Sequence, residues 1–151
     1  MRVLRRTLLG LGLVLACASC VMMPRYTPPP GLTPETGATL IGSKRGVLIF
    51  GQETYIGRID GFLSTASYDT PVLVAPGDHT IDIAFNGGNA HGRIPASVTL
   101  EAGRTYIAEC RLRPFQPLNC WVHTPDGVVV AAPMAVSPDV DVVVPIIVKG
   151  R

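Results

Sequence analysis

After Gly37 the apolar residues come in short runs, each closed by Gly, Pro, Asp or Asn, and none sustains a helical period. Short runs with turn signals at regular spacing predict an all-β sandwich or barrel. Runs at 39–42, 47–50, 54–60, 72–75, 80–85, 97–101, 105–112, 119–123 and 128–132 are the expected strands. Alternation supports this: Ile81, Ile83 and Phe85 share one face of a strand, and Thr80, Asp82 and Ala84 share the other. Val98 and Leu100 likewise oppose Ser97, Thr99 and Glu101. Residues 47–50 are apolar throughout, which predicts a central strand covered on both faces. The plentiful Val, Ile and Thr favour strands, and the Gly and Pro favour turns.

The N-terminus is different. Arg2, Arg5 and Arg6 precede an apolar run from Leu8 to Ala16, and small residues lead into a cysteine. A basic start, a short apolar stretch and a small-residue cut site make a secretory signal. The run is too short for a bilayer, which needs ~20 residues. Val14-Leu15-Ala16-Cys17 resembles the lipobox of bacterial lipoproteins. That resemblance implies cleavage before the cysteine, diacylglycerol on its sulfur and a lipid-held N-terminus. Cys17 fits the local pattern better. Cys20 is the alternative, because its lipidation would leave Cys110 and Cys120 as an even pair. An ordinary cleaved signal with a soluble product is the third reading. Residues 1–16 are thus read as signal, 17–37 as a lipidated tether, 38–135 as a β-sandwich domain and 136–151 as a C-terminal strand or tail. Five prolines between Val21 and Gly37 favour an extended tether, reaching up to ~50 Å. Of the 13 Lys+Arg, three leave with the signal, so ten basic residues face 11 acidic ones and the mature charge is about −1. Nucleic acid, which would need a basic patch, is not an expected partner. Asp139, Asp141, Pro145 and Lys149 interrupt the only later apolar run, so no second span is expected.

Three segments carry a further likeness. Ile59-Asp60-Gly61, then Pro71-Val72-Leu73, then Ala75-Pro76-Gly77-Asp78-His79-Thr80-Ile81 resemble the small antiparallel, immunoglobulin-like β-sandwich of PEGA-like domains of bacterial envelope proteins. Thr99-Leu100-Glu101-Ala102-Gly103 followed by Thr105-Tyr106 continues the likeness, which covers roughly residues 47–111. It implies a structural or binding module without catalysis. The Pro-Glu-Gly-Ala sequence itself is absent, and a cysteine-bearing hairpin follows. Independently of the family, Pro76 and Gly77 suit the two central positions of a type II turn.

If the chain turns about Phe115, Cys110 lies opposite Cys120 and Ala108 opposite Val122. Directly opposed residues in antiparallel strands have Cβ atoms ~4.5–5.5 Å apart, and an exported protein sits where disulfides persist. A disulfide is expected, with two buried thiols or a metal or redox site as alternatives. This register puts Ile107, Glu109, Trp121 and His123 on the other face. There Trp121 either marks a binding surface or is covered by the alternating Val140, Val142, Val144, Ile146 and Val148. Pro145 makes that segment an edge strand or a tail.

The search for chemistry is short. The glycine-rich stretch 86–93 reads as a mobile loop, or as a binding loop using His91 and Arg93; without a following helix it is no phosphate cradle. No Gly-x-Ser-x-Gly elbow occurs. Asp60, Asp69, Asp78 and Asp82 read as turn and surface positions, and His79 as a packed histidine. His79, His91 and His123 lack metal-ligand spacing, and no cofactor is expected. The expected function is that of a non-catalytic lipoprotein of the cell envelope, in the outer membrane facing the periplasm, binding the bilayer through acyl chains and an envelope protein or peptidoglycan through its domain. The alternative is a cell-wall glycan-binding module contacting peptidoglycan through Trp121, Tyr106 or the loop 87–93. A small enzyme or metal protein is the remaining rival.

Overall fold

The computed structural model describes residues 23–46, 51–87, 90–112 and 117–131. Among them are ten strands: β1 (Ala38–Ile41), β2 (Ser43–Arg45), β3 (Gln52–Ile59), β4 (Phe62–Leu63), β5 (Val72–Val74), β6 (Gly77–Gly87), β7 (Ala90–Leu100), β8 (Thr105–Arg111), β9 (Asn119–His123) and β10 (Val129–Ala131). Sheet A runs β2-β3-β6-β7 with β4 added to β3, and sheet B runs β10-β9-β8-β1-β5. The pairings are antiparallel except β1 with β8. The two sheets pack face to face as the small β-sandwich that the strand pattern predicts.

The faces sort as the alternation requires. Ile81, Ile83 and Phe85 are buried at 1% exposure or less, and they meet Ile94, Ala96 and Val98 on β7 and Leu40, Tyr106 and Val122 of sheet B. Each large apolar side chain so buried stabilises the fold by ~1.5–3 kcal/mol. Ile56 and Ile59 both reach this core although three positions apart, because a bulge between Ile56 and Arg58 shifts the register.

Gly42 is where the chain leaves sheet B, at the end of β1, and enters sheet A as β2. Such corners force backbone against backbone. A Cβ on Gly42 would collide with the Thr54 carbonyl and stand 2.9 Å from the Tyr68 backbone.

Since β1 ends at Ile41, β8 runs on past it with no strand neighbour on that side among the described residues. Side chains of sheet A take over. The Cys110 N–H donates to the buried Thr54 Oγ1 at 3.0 Å, and Gln52 Nε2 donates to the Leu112 carbonyl at 3.2 Å. These bonds satisfy backbone groups that burial would otherwise leave at a loss.

Several expectations change. Residues 86, 87 and 90–93 of the expected loop are in strands: β6 and β7 pair without a break from Gly77↔Leu100 to Gly87↔Ala90. Gly87 makes room for a ring, since a Cβ there would meet the Phe85 ring. Gly77 has a positive φ as foreseen, but at 128° it lies outside a type II turn and already pairs with Leu100 in the ladder. β2 and β4 were not foreseen, being short and largely polar or turn-bound. Residues 24–26 lie on the domain instead of standing free. The Leu63 N–H donates to the Pro24 carbonyl at 2.9 Å, the Tyr26 N–H to the Leu63 carbonyl at 2.9 Å, and the Tyr26 hydroxyl to the Leu73 carbonyl at 3.1 Å. Tyr26 also packs on the core, and that partly buried ring draws the proline-rich segment down. The expected strand at 47–50 and the C-terminal segment 136–151 lie outside the described residues.

Candidate functional site

The expected register of the late hairpin holds. Cys110 pairs with Cys120, Ala108 with Val122, Glu109 with Trp121 and Ile107 with His123. The two cysteines are buried at 1% and 0% exposure, with Cα atoms 4.0 Å apart, and their sulfurs are at disulfide distance. The turn at Phe115 lies outside the described residues.

On the opposite face of this hairpin two arginines and a histidine surround one carboxylate. Glu109 has Arg45 Nε at 3.2 Å, His123 Nε2 at 3.5 Å and Arg111 Nη2 at 3.8 Å. The Arg111 guanidinium lies over the Trp121 ring, 5.5 Å from its centroid. Trp121 is therefore half-buried and stacked by its own sheet neighbour. Whether residues 140–148 cover this face falls outside the described residues. Tyr106 cannot serve as a glycan contact: it is 2% exposed in the core, where its hydroxyl accepts from the Glu101 N–H at 3.0 Å. The large ring is pulled inward by its burial, and the hydroxyl is spent on holding the turn before β8.

His91 and Arg93 sit on β7, exposed on the outer face of sheet A. They belong to the other sheet from Trp121, so the structure does not assemble these three residues into one surface.

At one end of the sandwich, Asp60 and Gly61 join β3 to β4 with φ values of 51° and 83°. Two successive positive φ angles are what a two-residue Asp-Gly hairpin demands. Asp60 then reaches β6: its Oδ1 accepts the Thr80 N–H at 3.0 Å, and its Oδ2 stands 2.7 Å from His79 Nδ1. His79 Nε2 stands 2.9 Å from the Ala75 carbonyl. Both ring nitrogens thus face oxygen acceptors, and the imidazole ties together three chain segments, as a packed histidine does. It has no free nitrogen to take a proton from a substrate in this arrangement.

Burial pushes the Asp60 carboxyl up, but the His79 hydrogen bond, the Thr80 N–H and the charge on His79 outweigh it and hold the group below its ordinary value. A depressed carboxyl stabilises the fold above the unfolded value of ~3.9, and the effect is lost as pH falls through the folded value. Asp60 is 43% exposed, so the contribution stays at the surface scale of about 1 kcal/mol or less. Asp60→Asn, which tolerates the positive φ, should therefore lower the urea midpoint at pH 6, and the gap from wild type should close as the pH falls to about 2–3. A gap that stays constant over that range would count against the ion pair.

The outer face of sheet A holds the second set of polar and aromatic groups. Glu53 and Tyr55 on β3, with Thr65, Ala66, Ser67 and Tyr68 of the following loop, line a concavity of about 330 Å³. Lys44 Nζ donates to Glu53 Oε1 at 2.9 Å and lies 4.9 Å from the Tyr68 ring centroid. The Glu53 hydrogen bond and charge hold the Lys44 ammonium above its ordinary value. Neither tyrosine stood out in the sequence; the only signal was the outward parity of Tyr55 on β3.

Among the described residues, no three His, Cys, Asp or Glu side chains converge on a metal position, and no helix is long and apolar enough to cross a membrane. Cys17 and Cys20 lie outside the described residues. No family model, curated protein or solved structure matches the chain.

Proposed function

We propose that the chain is a lipid-anchored envelope protein with a non-catalytic structural or protein-interaction role, its acyl chains on Cys17 set in the outer membrane and its sandwich facing the periplasm. The observation that carries this reading is the order of residues 2–17: arginines, an apolar run too short to span, then Val14-Leu15-Ala16-Cys17. Ala18 after the cysteine supports the outer membrane, since it is not the aspartate associated with inner-membrane retention. Lipoprotein maturation adds two or three chains, which makes stable an attachment that a single chain leaves marginal. The buried cysteine pair at disulfide distance supports an exported, oxidising setting.

The contacts of Pro24 and Tyr26 with β4 limit how far the domain stands from its anchor. Only residues 17–23 remain to bridge the gap, at most about 25 Å when extended, against the ~50 Å of a free proline-rich segment. The end of the sandwich that carries Leu63 and the Asp60–Gly61 turn is then nearest the lipid.

The test is a detergent phase partition of the full chain expressed in a bacterium with an outer membrane, with mass measurement of its mature N-terminal peptide. Wild type should enter the detergent phase carrying diacylglycerol on Cys17, and Cys17→Ser should remain uncleaved or aqueous. Modification at Cys20 would keep the anchor and move its site. Unmodified thiols at both positions, in protein that stays aqueous, would overturn the reading.

A further inference from the structure

We infer that the concavity between Tyr55 and Tyr68 on the outer face of sheet A is a saccharide subsite, taking the apolar face of a pyranose ring against the phenols. This goes beyond the structural or protein-interaction role proposed above, and it rests on neither that role nor the lipid anchor.

A sugar ring presents two chemistries at once: a C–H face that packs on aromatic rings, and a rim of hydroxyls that needs both donors and acceptors. The concavity offers both. Tyr55 and Tyr68 are half-exposed rings, large in area and poor in conformational entropy to lose; Lys44 lies over one face of Tyr68, so Tyr55 is the freer of the two platforms and Tyr68 a wall. Glu53 has one carboxylate oxygen on Lys44, which leaves the other as an acceptor; Thr65 adds an exposed hydroxyl. The volume, about 330 Å³, falls at the lower end of the ~300–1,000 Å³ usual for small-molecule sites, enough for one ring and part of the next.

The walls are held in place before any ligand arrives. The Ser64 N–H donates to the Gly57 carbonyl at 2.9 Å, the Thr70 N–H to the Ser67 carbonyl at 3.2 Å, and the hydroxyls of Ser67 and Thr70 lie 2.9 Å apart. Gly42 lets the Tyr68 backbone sit directly on the sheet corner. Such preorganisation removes the ordering cost that a flexible loop would pay on binding. Across the sheet, Tyr55 pairs with Ala84, and Ala84 with Arg93. Arg93 is two strands away by register, but its side chain returns to β3, its Nε 3.8 Å from where a Cβ on Gly57 would stand, two positions along the strand from Tyr55, where it can meet an acidic substituent of the sugar.

The experiment uses the full-length protein in a detergent without a sugar headgroup, so that nothing competes for the cleft. Two probes separate the sources of the sugar: a soluble neutral oligomer of N-acetylglucosamine, read by titration, and insoluble peptidoglycan, read by co-sedimentation. Wild type should bind one or both. Tyr55→Ala and Tyr68→Ala should each weaken binding by about tenfold or more, the scale of losing one aromatic anchor. Tyr55→Phe and Tyr68→Phe should keep most of it, which shows that the ring matters and guards against misfolding of the alanine variants. Trp121→Ala should leave binding unchanged. No binding of either probe by wild type, or binding that Trp121→Ala abolishes and the tyrosine variants spare, overturns the subsite. Because the protein is already in detergent, either failure leaves the anchoring proposal to its own partition test.

Discussion

Replacing Cys110 and Cys120 together by alanine is expected to lower the stability of the domain by about 3 kcal/mol, the value for a disulfide that closes a loop of this length. For a domain of about a hundred residues this corresponds to a melting temperature roughly 10–20 °C lower. The reasoning starts from position. The two residues form a directly opposed pair in an antiparallel ladder, both fully buried, so a bond between them crosses the core side of the hairpin. β9 is otherwise held by β8 on one side and by the three-residue β10 on the other. The β8 partner is firmly placed, because the Cys110 N–H is bonded to Thr54 of the opposite sheet. A bond at Cys110 therefore fastens the weaker edge of sheet B to the centre of sheet A through two residues. Alanine at both positions removes the bond without burying a new polar group. The check is thermal melting with and without a reductant: reductant should bring wild type down to the double variant and leave the double variant where it was. If reductant moves neither protein, the bond is not there, and the pair is two buried thiols.

How far the fold was legible follows from what each segment needed. The core strands were readable because their side chains alternate, and alternation survives any change of strand neighbour. Ile81, Ile83 and Phe85 face inward whichever strand lies beside them. The Cys110–Cys120 register was readable because a short hairpin admits few pairings. The stretch 86–93 reads as a loop because its glycines look like loop residues, whereas Gly87 is small for the sake of the Phe85 ring, two positions back on the same face of β6. β2 was missed for a different reason. Ser43-Lys44-Arg45 has no apolar member, and it is a strand only because Gly42 delivers it to the edge of β3.

The candidate sites were less legible than the fold. Trp121 stood out as the single tryptophan, yet Arg111 stacks on it within the same sheet. Tyr106 looked available and is buried, because its ring fills the core and its hydroxyl holds the turn at Glu101. Tyr55 and Tyr68 are thirteen positions apart in sequence, and only the folding back of residues 64–70 onto β3 brings both to one concavity. Such a pairing depends on a loop path that no periodicity encodes. His79 was correctly read as packed, but its partner Asp60 comes from another hairpin, and that contact also explains why an aspartate tolerates a positive φ there.

The same loop path gives the second large effect, which is expected from one added methyl group. Gly42→Ala should cost about 3 kcal/mol or more, at or above the upper end of ordinary overpacking, because the new Cβ has nowhere to go. On one side it meets the Thr54 carbonyl, and on the other the Tyr68 Cα and carbonyl oxygen at 2.9 Å. These are backbone atoms, so no rotamer change relieves the clash. Moving Thr54 would break the β2–β3 pairing at Ser43↔Thr54 and withdraw the hydroxyl that satisfies the Cys110 N–H. Moving Tyr68 would unseat the loop and with it one wall of the proposed sugar subsite. The natural control is Gly61→Ala. There nothing lies within 4 Å of an added Cβ, and only the φ of 83° resists, which costs about 1–2 kcal/mol. Urea unfolding of the two variants should rank Gly42→Ala well below Gly61→Ala at an unchanged denaturant slope. Equal midpoints would mean that the corner between the sheets has slack, and that the sequence places glycine at 42 for some reason other than the close approach of its neighbours.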